Sequence, residues 1–362
     1  MMKKIGVLTG GGDCPGLNAV IRAVVKTAIN DYGISVVGIE DGFDGLVKNR
    51  VKNLDYETVS GILSVGGTIL GSSNRADPFA YVEEQNGKMS EKVDRSDEAV
   101  DNFKKRGLDA LVCTGGDGTM SIAHGLMAKG IPVIGVPKTI DNDLYGTDVT
   151  FGFDSAVQIV SEAIDRLHTT AQSHHRVMVI ETMGRYAGWL ALTGGVAGGG
   201  DIILIPEIPY SLDAIADRVK FRSKRGKRFS IVVVAEGVKL PGGEYKIDHR
   251  DEASHDPVRL GGIGVWIARQ IEEMTGISSR ATILGHLQRG GSPTAYDRVL
   301  ATRFGREAMK IAYEGEFGVM VGLRGDAIKT TPLEKIANRQ RLVTPDSPII
   351  MAAKSVGTSF GE

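Results

Sequence analysis

A glycine-rich turn with one aspartate follows a buried apolar strand predicted at residues 111–114. The run Gly115-Gly116-Asp117-Gly118 lets the backbone come close to a bulky ligand, because glycine adopts positive φ without steric strain. The helix predicted over about residues 119–129 directs its positive end at this turn, where a phosphate would lie. Asp117 would repel a bare phosphate, so we interpret it as a ligand of Mg²⁺ that bridges phosphate oxygens. By itself such a turn is as often structural, in a chain with 48 glycines.

A second polar loop follows the next predicted strand, residues 131–136. It reads Thr139-Ile140-Asp141-Asn142-Asp143, and one of its two carboxylates can take a proton from a substrate hydroxyl. Because consecutive strands of a parallel sheet end at the same edge, both loops would open there together. A phosphate cradle, a metal carboxylate and a base are together typical of phosphoryl transfer.

Two more loops of small residues are candidates for phosphate contact. Residues 10–16 lie between a strand predicted over 4–9 and a helix predicted over about 18–30. This loop fails the dinucleotide-binding spacing, because its last glycine comes one residue late, and the chain contains no Gly-Lys-Ser/Thr phosphate loop. In the other loop, residues 66–75, Arg75 either reaches nucleotide phosphates or is simply solvated.

The segments around these loops alternate between strand and helix. Further strands are predicted at residues 36–39, 176–181, 201–206 and 229–236, and further helices at about residues 154–172 and 264–274. The alternation predicts an α/β fold with two doubly wound, Rossmann-like domains and parallel-rich sheets, and the length of 362 residues suits two domains. Residues 77–97 are polar and predict a surface excursion. Residues 239–260 predict a loop or hairpin.

The composition, 42% hydrophobic and 24% charged, is that of a soluble globular protein. Lys and Arg (43) nearly balance Asp and Glu (44), so no basic field attracts nucleic acid. The two cysteines, Cys14 and Cys113, give no disulfide framework and fit a reducing cytosol. We interpret both as packing residues. No apolar run reaches membrane-span length and the chain begins with a strand, so we expect a cytoplasmic protein without a membrane partner.

Taken together, these segments closely resemble the 6-phosphofructokinase family over nearly the whole chain. The motifs that carry the resemblance occur in the family's order: Gly115-Gly116-Asp117-Gly118, Thr139-Ile140-Asp141-Asn142-Asp143, Met183-Gly184-Arg185 and Gly285-His286-Leu287-Gln288-Arg289-Gly290-Gly291-Ser292-Pro293. The resemblance implies the phosphofructokinase fold and phosphorylation of the 1-hydroxyl of fructose 6-phosphate by Mg-ATP or by pyrophosphate. We expect a donor-nucleotide and Mg-binding domain at residues 1–152 plus about 288–335. The fructose 6-phosphate-binding domain would be residues 153–287 plus the C-terminal segment.

The resemblance also assigns roles to single residues. Asp141 would be the base and Asp117 the Mg²⁺ ligand, with Thr139, Asp143 and Arg185 at the reacting centre. Donor contacts would come from Gly11, Arg75, Gly115, Gly116, Asp117, Gly118 and Thr119. Sugar contacts would come from Thr139, Ile140, Asp141, Arg176, Met183, Gly184, Arg185, Glu236, Arg280, His286, Leu287, Gln288 and Arg289. Arginine forks suit a phosphate dianion. Some of the arginines would come from a neighbouring subunit of a homodimer or homotetramer.

Two residues bear on the choice of donor. In the family's pyrophosphate enzymes a second Asp follows the position of Asp117, where it would exclude the α-phosphate of ATP, whereas this chain has Gly118. Lys138 favours pyrophosphate, because those enzymes carry a lysine there, and together with the insertion at 239–260 it resembles a mixed-substrate bacterial group. A carboxylate excludes ATP while a lysine only adds a charge that either donor can use, so we predict ATP. Asn74-Arg75 departs from the family's ATP enzymes, so adenine packing there would differ.

Three alternatives stay open at this point. The first is a pyrophosphate-dependent enzyme, the second an NAD or lipid kinase with the same glycine turn, and the third a non-catalytic metabolite-binding protein of this fold. The family's allosteric anion site corresponds here to Arg22, Lys26, Asp201, Arg225 and Lys227. Because Tyr56 and His168 replace two family arginines, the resemblance implies a weak or absent effector response.

Overall fold

Strands and helices alternate along most of the chain in the computed structural model, which describes residues 2–85, 88–250, 257–337 and 339–362. The strands are β1 (Lys4–Thr9), β2 (Ser35–Ile39), β3 (Val51–Leu54), β4 (Glu84–Gln85), β5 (Lys88–Met89), β6 (Ala110–Gly115), β7 (Val133–Pro137), β8 (Val177–Thr182), β9 (Ile202–Leu204), β10 (Ser230–Ala235), β11 (Ile247–Arg250), β12 (Val258–Leu260), β13 (Ser279–Ile283), β14 (Val319–Arg324) and β15 (Ala327–Pro332). The α-helices are α1 (Leu17–Tyr32), α2 (Phe43–Val47), α3 (Ser96–Lys105), α4 (Asp117–Ala128), α5 (Phe153–His174), α6 (Trp189–Ala197), α7 (Leu212–Lys224), α8 (Ile263–Thr275), α9 (Ala295–Glu314) and α10 (Pro348–Ser355).

The first sheet has seven strands in the order β15-β14-β7-β6-β1-β2-β3. Its five central strands run parallel, and β3 and β15 pair antiparallel at the two edges. β6 and β7 are buried along their whole length, as is usual for parallel strands covered on both faces. The register places Thr9 opposite Thr114 and Gly115 opposite Pro137. The loops that follow β1, β6 and β7 therefore open side by side.

The second sheet has four parallel strands in the order β13-β8-β10-β9. The end of the chain returns to this sheet, where Ile202 forms a parallel bridge with Ser359. Before that, β14 and β15 have joined the first sheet, so the chain crosses between the two sheets more than once. The predicted α/β fold with parallel-rich sheets is confirmed, whereas the domain boundaries stay a prediction.

Some elements differ from their predicted bounds. The helix predicted from residue 119 begins at Asp117, because Gly116 caps it in an extended conformation and its carbonyl accepts from the Met120 N–H at 3.0 Å. A carboxylate in this first turn is favoured by the helix dipole. The predicted excursion contains the short pair β4–β5, with residues 86–87 outside the described part of the chain.

The insertion predicted as a loop or hairpin contains the antiparallel pair β11–β12. Its residues 251–256 lie outside the described residues. None of the helices in the described ranges has the length and apolar character that crossing a bilayer requires.

Candidate active site

The carboxyl ends of parallel strands from both sheets surround one cavity of about 1200 Å³. The loops after β1, β6 and β7 form one side, and the residues after β8, β10 and β13 form the other. Predicted site residues that line it are Gly11, Arg75, Gly116, Asp117, Gly118, Thr119, Lys138, Thr139, Ile140, Asp141, Asp143, Met183, Arg185, Glu236, His286 and Arg289. Ligands of open α/β sheets bind at such strand ends.

At one end of the cavity, which we call the donor end, glycines let two loops pack around Thr119. A Cβ on Gly115 would lie 2.1 Å from Thr119 Oγ1, and a Cβ on Gly10 would lie 2.8 Å from it. Gly11 has φ +75°, its N–H donates to the Ser73 carbonyl at 3.1 Å, and its carbonyl accepts from Ser72 Oγ at 2.5 Å. This end therefore offers a ligand mostly backbone, with the first turn of α4 directed at it.

A smaller cavity of about 230 Å³ continues from the donor end. Residues of both glycine loops and Arg75 line the two cavities in common. Beyond them the smaller cavity is bounded by Phe43, Ala80, Lys92 and Ile122. An elongated ligand can thus extend from the main cavity past α4.

The loop after β7, residues 138–151, is held in place from both ends. The backbones of Lys138 and Phe151 form a parallel β-bridge, and Thr150 Oγ1 donates to the Thr139 carbonyl at 2.7 Å. Asn142, at φ +54°, accepts from the Thr150 N–H at 3.1 Å through its side chain. The Asp141 N–H donates to Thr139 Oγ1 at 3.0 Å. The loop thus presents Asp141 and Asp143 in fixed positions between the two sheets.

Asp141 is buried, and its Oδ1 has no hydrogen-bond partner among the described residues. Burial raises the pKa of Asp141, while the charges of Arg289, Arg185 and Lys138 act to lower it. The surrounding cations therefore favour the ionised carboxylate. An unpartnered carboxylate oxygen in a cavity can accept a proton from a ligand hydroxyl that enters it.

Two further carboxyl groups sense the same negative charge. Burial, with added repulsion from Asp141 and Asp117, raises the pKa of Asp143 to about 8. Burial and the charge of Asp141 raise the pKa of Glu236 to about 7. Burial thus disfavours the ionised form of both carboxyl groups, and the charge of Asp141 adds to that effect.

The opposite end of the cavity, the acceptor end, is built from charged side chains. Glu236 Oε1 accepts from the Arg185 N–H at 3.1 Å, and Arg185 has φ +50°. His286 and Arg289 lie on a 3₁₀ helix, Gly285–Arg289. Arg289 donates to the Asp13 carbonyl at 3.3 Å and lies so close to Gly12 that a Cβ there would be 1.8 Å from its Nη1. Arg289 therefore spans the two sides of the cavity.

Lys138, one of the two residues that bear on the donor, is buried under the first glycine loop. Its Nζ donates to the Gly12 carbonyl, and a Cβ on Gly11 would lie 3.5 Å from that Nζ. Burial lowers the pKa of the lysine. Gly118, by contrast, lines both cavities and adds no side chain to either. Cys14 and Cys113 are both free and buried, as predicted for packing residues.

Six predicted residues do not line this chain's own cavity: Gly115, Arg176, Gly184, Arg280, Leu287 and Gln288. Gly115 and Gly184 shape the loops from behind. Gln288 is fully buried, and its side-chain amide donates to the Gly285 carbonyl at 3.0 Å. Leu287 points the other way and is 69% exposed.

The two arginines lie outside the cavity for a simple geometric reason. Arg176 directly precedes β8, whereas the cavity lies at the carboxyl end of that strand. Arg280 lies early in β13, the edge strand of its sheet, and its guanidinium pairs with Glu272 at 3.4 Å.

Several lining residues were missed by the sequence analysis. Glu181 is buried at the end of β8, where its carboxylate accepts from the N–H groups of Gly262 and Gly264 at 2.9 and 2.7 Å. Asp248 and His249 of β11 line the cavity as well. Glu181 comes two residues before the predicted motif Met183-Gly184-Arg185, so its position in the sequence could have indicated that it lines the cavity. The sequence of the β11–β12 hairpin did not indicate that its residues line the cavity, because a polar insertion does not reveal where it packs.

The metal implied by the resemblance was tested on the available side chains. Among the described residues, no three His, Cys, Asp or Glu side chains form a group that could enclose a metal ion. Asp117 supplies one carboxylate at the mouth of the donor end. Mg²⁺ is commonly bound by one or two carboxylates together with substrate phosphates and waters, so Asp117 fits this ion when a phosphate ligand is present.

Comparisons with known proteins were made on the whole chain. A family model described as Phosphofructokinase matches residues 4–312. The chain is 52% identical to "ATP-dependent 6-phosphofructokinase 2" of Clostridium perfringens, over 100% of this chain and 99% of the relative. It is 48% identical to "ATP-dependent 6-phosphofructokinase 3" of Bacteroides thetaiotaomicron, over 99% of this chain and 100% of the relative. It is 47% identical to a pyrophosphate–fructose 6-phosphate 1-phosphotransferase of Streptomyces coelicolor, over 99% and 100%.

Among solved structures, the Pichia pastoris phosphofructokinase in the T-state superposes with a TM-score of 0.79 at 33% sequence identity. The match covers 93% of this chain and 35% of the Pichia chain. The present chain therefore spans about a third of the length of that yeast protein.

Proposed function

The chain belongs to the phosphofructokinase family, and we propose that it transfers the γ-phosphoryl group of Mg-ATP to the 1-hydroxyl of fructose 6-phosphate. The observation that carries the proposal is the single cavity in which a backbone-lined donor end and a charged acceptor end meet at Asp117 and Asp141. Phosphoryl transfer requires in-line positioning and charge neutralisation more than covalent chemistry. A cavity with these two ends and carboxylates between them suits that requirement.

At the donor end, the glycine loops and Thr119 would hold the phosphates, and Arg75 would add a positive charge. Asp117 would hold Mg²⁺ against the phosphate oxygens. The bound ion would neutralise negative charge on the group being transferred. The charges of Asp141 and Asp117 add to the effect of burial in raising the pKa of Asp143, and a cation bound beside these carboxylates would act in the opposite direction.

At the centre, Asp141 would take the proton of the 1-hydroxyl through its unpartnered Oδ1. Asp143 and Thr139 would support the loop and the reacting groups, and Arg185 would steady the transferred phosphoryl group. Burial raises the pKa of Asp141, and the charges of Arg289, Arg185 and Lys138 act against this rise, so they favour the ionised form of the base.

At the acceptor end, Met183 and Glu236 would bind the sugar, with Gly184 shaping the loop that carries Met183, and His286 and Arg289 would bind its 6-phosphate. Arg176 and Arg280 lie outside the chain's own cavity. We therefore propose that they complete the 6-phosphate site of a neighbouring subunit, in a homodimer or homotetramer with shared active sites. The edge position of β13, with Ile283 50% and Leu287 69% exposed, suits such a contact.

The donor is proposed to be ATP because Gly118 leaves the donor end open toward the smaller cavity. Lys138 does not oppose this, since its amino group already donates to the Gly12 carbonyl. The second candidate is pyrophosphate as donor, which the name of the Streptomyces relative favours. The protein is proposed to act in the cytoplasm, in line with its two free cysteines.

The test is a coupled assay for fructose 1,6-bisphosphate with fructose 6-phosphate, Mg²⁺ and ATP. We expect turnover that disappears when Mg²⁺ is chelated and returns when it is added back. If no product forms with ATP or with pyrophosphate, the proposed activity is refuted, and a non-catalytic binding protein of this fold remains.

A further inference from the structure

One wall of the smaller cavity is formed by residues 78–83 and 90–95, which we call the wall segment. Ala80 and Lys92 of this segment line the cavity, opposite Phe43 of α2 and Ile122 of α4. Two backbone hydrogen bonds between Tyr81 and Val93, of 2.8 and 2.9 Å, join the two arms of the segment. The wall is therefore a paired unit whose position depends on how it is attached to the rest of the domain.

An apolar contact attaches the wall segment to α4, and the buried ring of Tyr81 belongs to the same hydrophobic core. The ring of Phe79 packs so closely over Gly125 that a Cβ on that glycine would lie 2.7 Å from it. Its second attachment is polar: the Tyr81 hydroxyl donates to Oδ1 of Asp44 in the first turn of α2. Tyr81 is only 2% exposed. Ala80 lies between these two anchors in the chain, so the anchors together set its position against the cavity.

Asp44 is the point where several supports of the donor end converge. It accepts from Arg50 at 2.6 Å and pairs with Lys48 at 3.3 Å, and Arg50 also binds Asp41 at 2.8 Å. The Asp41 N–H in turn donates at 2.8 Å to the carbonyl of Leu70, at the start of the loop that carries Arg75. Asp44 thus links the wall segment to the loop on the opposite rim.

The hydrogen bond from Tyr81 to Asp44 is charge-assisted. Burial acts to raise the pKa of Asp44, but the hydrogen bonds from Tyr81 and Arg50 outweigh it and the pKa is lowered. The carboxylate is therefore ionised at neutral pH, and a hydrogen bond to an ionised partner is about twice as strong as one between neutral groups.

We propose that Tyr81 and Asp44 are positioning residues that hold the wall segment against the base of a nucleotide donor. The inference rests on the proposed function, since it requires that the donor carry a base. The glycine loops line both cavities, whereas Ala80 and Lys92 line only the smaller one, so the part of a donor that extends past the shared loops reaches the wall. A donor made of phosphate alone would not depend on this hydrogen bond.

The test compares Tyr81→Phe, which removes one hydroxyl and keeps the buried ring, with the wild type. We expect the KM for Mg-ATP to rise about tenfold, the effect of losing one hydrogen bond to a charged group. The kcat and the KM for fructose 6-phosphate should be unchanged. In calorimetry, Mg-ADP should bind about tenfold more weakly, whereas binding of Mg-pyrophosphate and of inorganic tripolyphosphate should be unchanged.

Two further variants make the comparison specific. Asp44→Asn keeps an acceptor for Tyr81 but removes its charge, so a smaller rise in the Mg-ATP KM is expected. Tyr313→Phe is the control, because Tyr313 of α9 stacks on Tyr32 of α1 and lines neither cavity. Should a variant melt at a lower temperature, the ratio of its Mg-ADP and pyrophosphate dissociation constants is compared below melting, where the protein is folded.

Unchanged Mg-ADP binding in Tyr81→Phe would overturn the positioning role. So would an equal weakening of Mg-ADP and pyrophosphate, since that would indicate a general distortion of the donor end. If instead the wild type binds pyrophosphate but no Mg-ADP, the nucleotide donor of the proposed function is refuted at the outset.

Discussion

The two ends of the cavity are built from different materials. At the donor end, Gly10 and Gly115 pack against Thr119 at distances that leave no room for a Cβ, and ligand contacts come mostly from backbone. At the acceptor end, Arg185, Glu236 and Arg289 present charged side chains. We therefore expect substitutions that enlarge side chains at the donor end to impair donor binding. At the acceptor end, we expect substitutions that truncate charged side chains to impair sugar-phosphate binding.

The largest effect is expected at Asp141, where the two ends meet. Asp141→Asn removes the proton acceptor while keeping its shape, so kcat should fall by roughly 10²–10⁴, with little change in the KM for fructose 6-phosphate. Steady-state kinetics measure both constants. Asp97→Asn is the matched control, because the exposed Asp97 pairs with Lys129 at the surface and such pairs contribute little. Near-normal kcat in folded Asp141→Asn would remove Asp141 from its role.

Next in size are the arginines of the proposed 6-phosphate site, with Arg289 in the chain's own cavity and Arg280 proposed to act on a neighbouring subunit. Arg280→Ala and Arg289→Ala should each raise the fructose 6-phosphate KM by roughly 10–100-fold, the effect of one hydrogen bond to a charged group. When the two variants are unfolded, mixed and refolded, hybrid subunit pairs should recover about a quarter of wild-type activity at a low fructose 6-phosphate concentration, where each variant alone is nearly inactive. Half of randomly formed pairs are hybrids, and one of their two sites is intact.

The control for this mixing experiment is a pair of variants that are both proposed to act in trans. Arg176→Ala with Arg280→Ala should recover nothing, because every hybrid site lacks one arginine. If both mixtures recover the same activity, or if neither recovers any, the result would argue against sites shared between subunits.

The smallest effect concerns the protonation of Glu236. Burial raises its pKa from 4.5 to about 7, so between these values the folded state binds more protons than the unfolded state. The free energy of unfolding therefore falls as the pH rises through this window and levels above it. As the pH rises from 4.5 to 7, the free energy of unfolding of Glu236→Gln should increase by about 2 kcal/mol relative to that of the wild type. This figure is smaller than the full pKa shift implies, because the surroundings of the buried group relax. Urea unfolding of both ligand-free proteins measures the difference, and parallel pH curves would contradict the raised pKa.

Much of the fold and of the cavity could be predicted because local patterns act through one general rule. Apolar strands followed by polar loops place Asp117, Asp141 and Arg185 at strand ends, and parallel sheets bring strand ends together. The same rule explains why Arg176 is absent from the cavity, since it precedes β8 rather than following it.

The remaining features depend on contacts between distant parts of the chain. Tyr81 and Asp44 are 37 residues apart, and neither segment indicates that the other is its partner. The burial of Gln288 follows from the turn of a short 3₁₀ helix, which a polar, glycine-flanked sequence does not reveal. The β11–β12 hairpin lines the cavity through Asp248 and His249, and the residues that follow it donate to the distant Glu181.

The most direct measurement of the central claim compares initial rates with Mg-ATP and with pyrophosphate, side by side, at saturating fructose 6-phosphate. The wild type should use ATP and should use pyrophosphate poorly or not at all. In Gly118→Asp, a carboxylate at the open donor end should lower kcat/KM for ATP by about 100-fold, because like charges in contact repel strongly where water is excluded. A wild type that turns over faster with pyrophosphate, or an aspartate variant with normal ATP activity, would contradict the account.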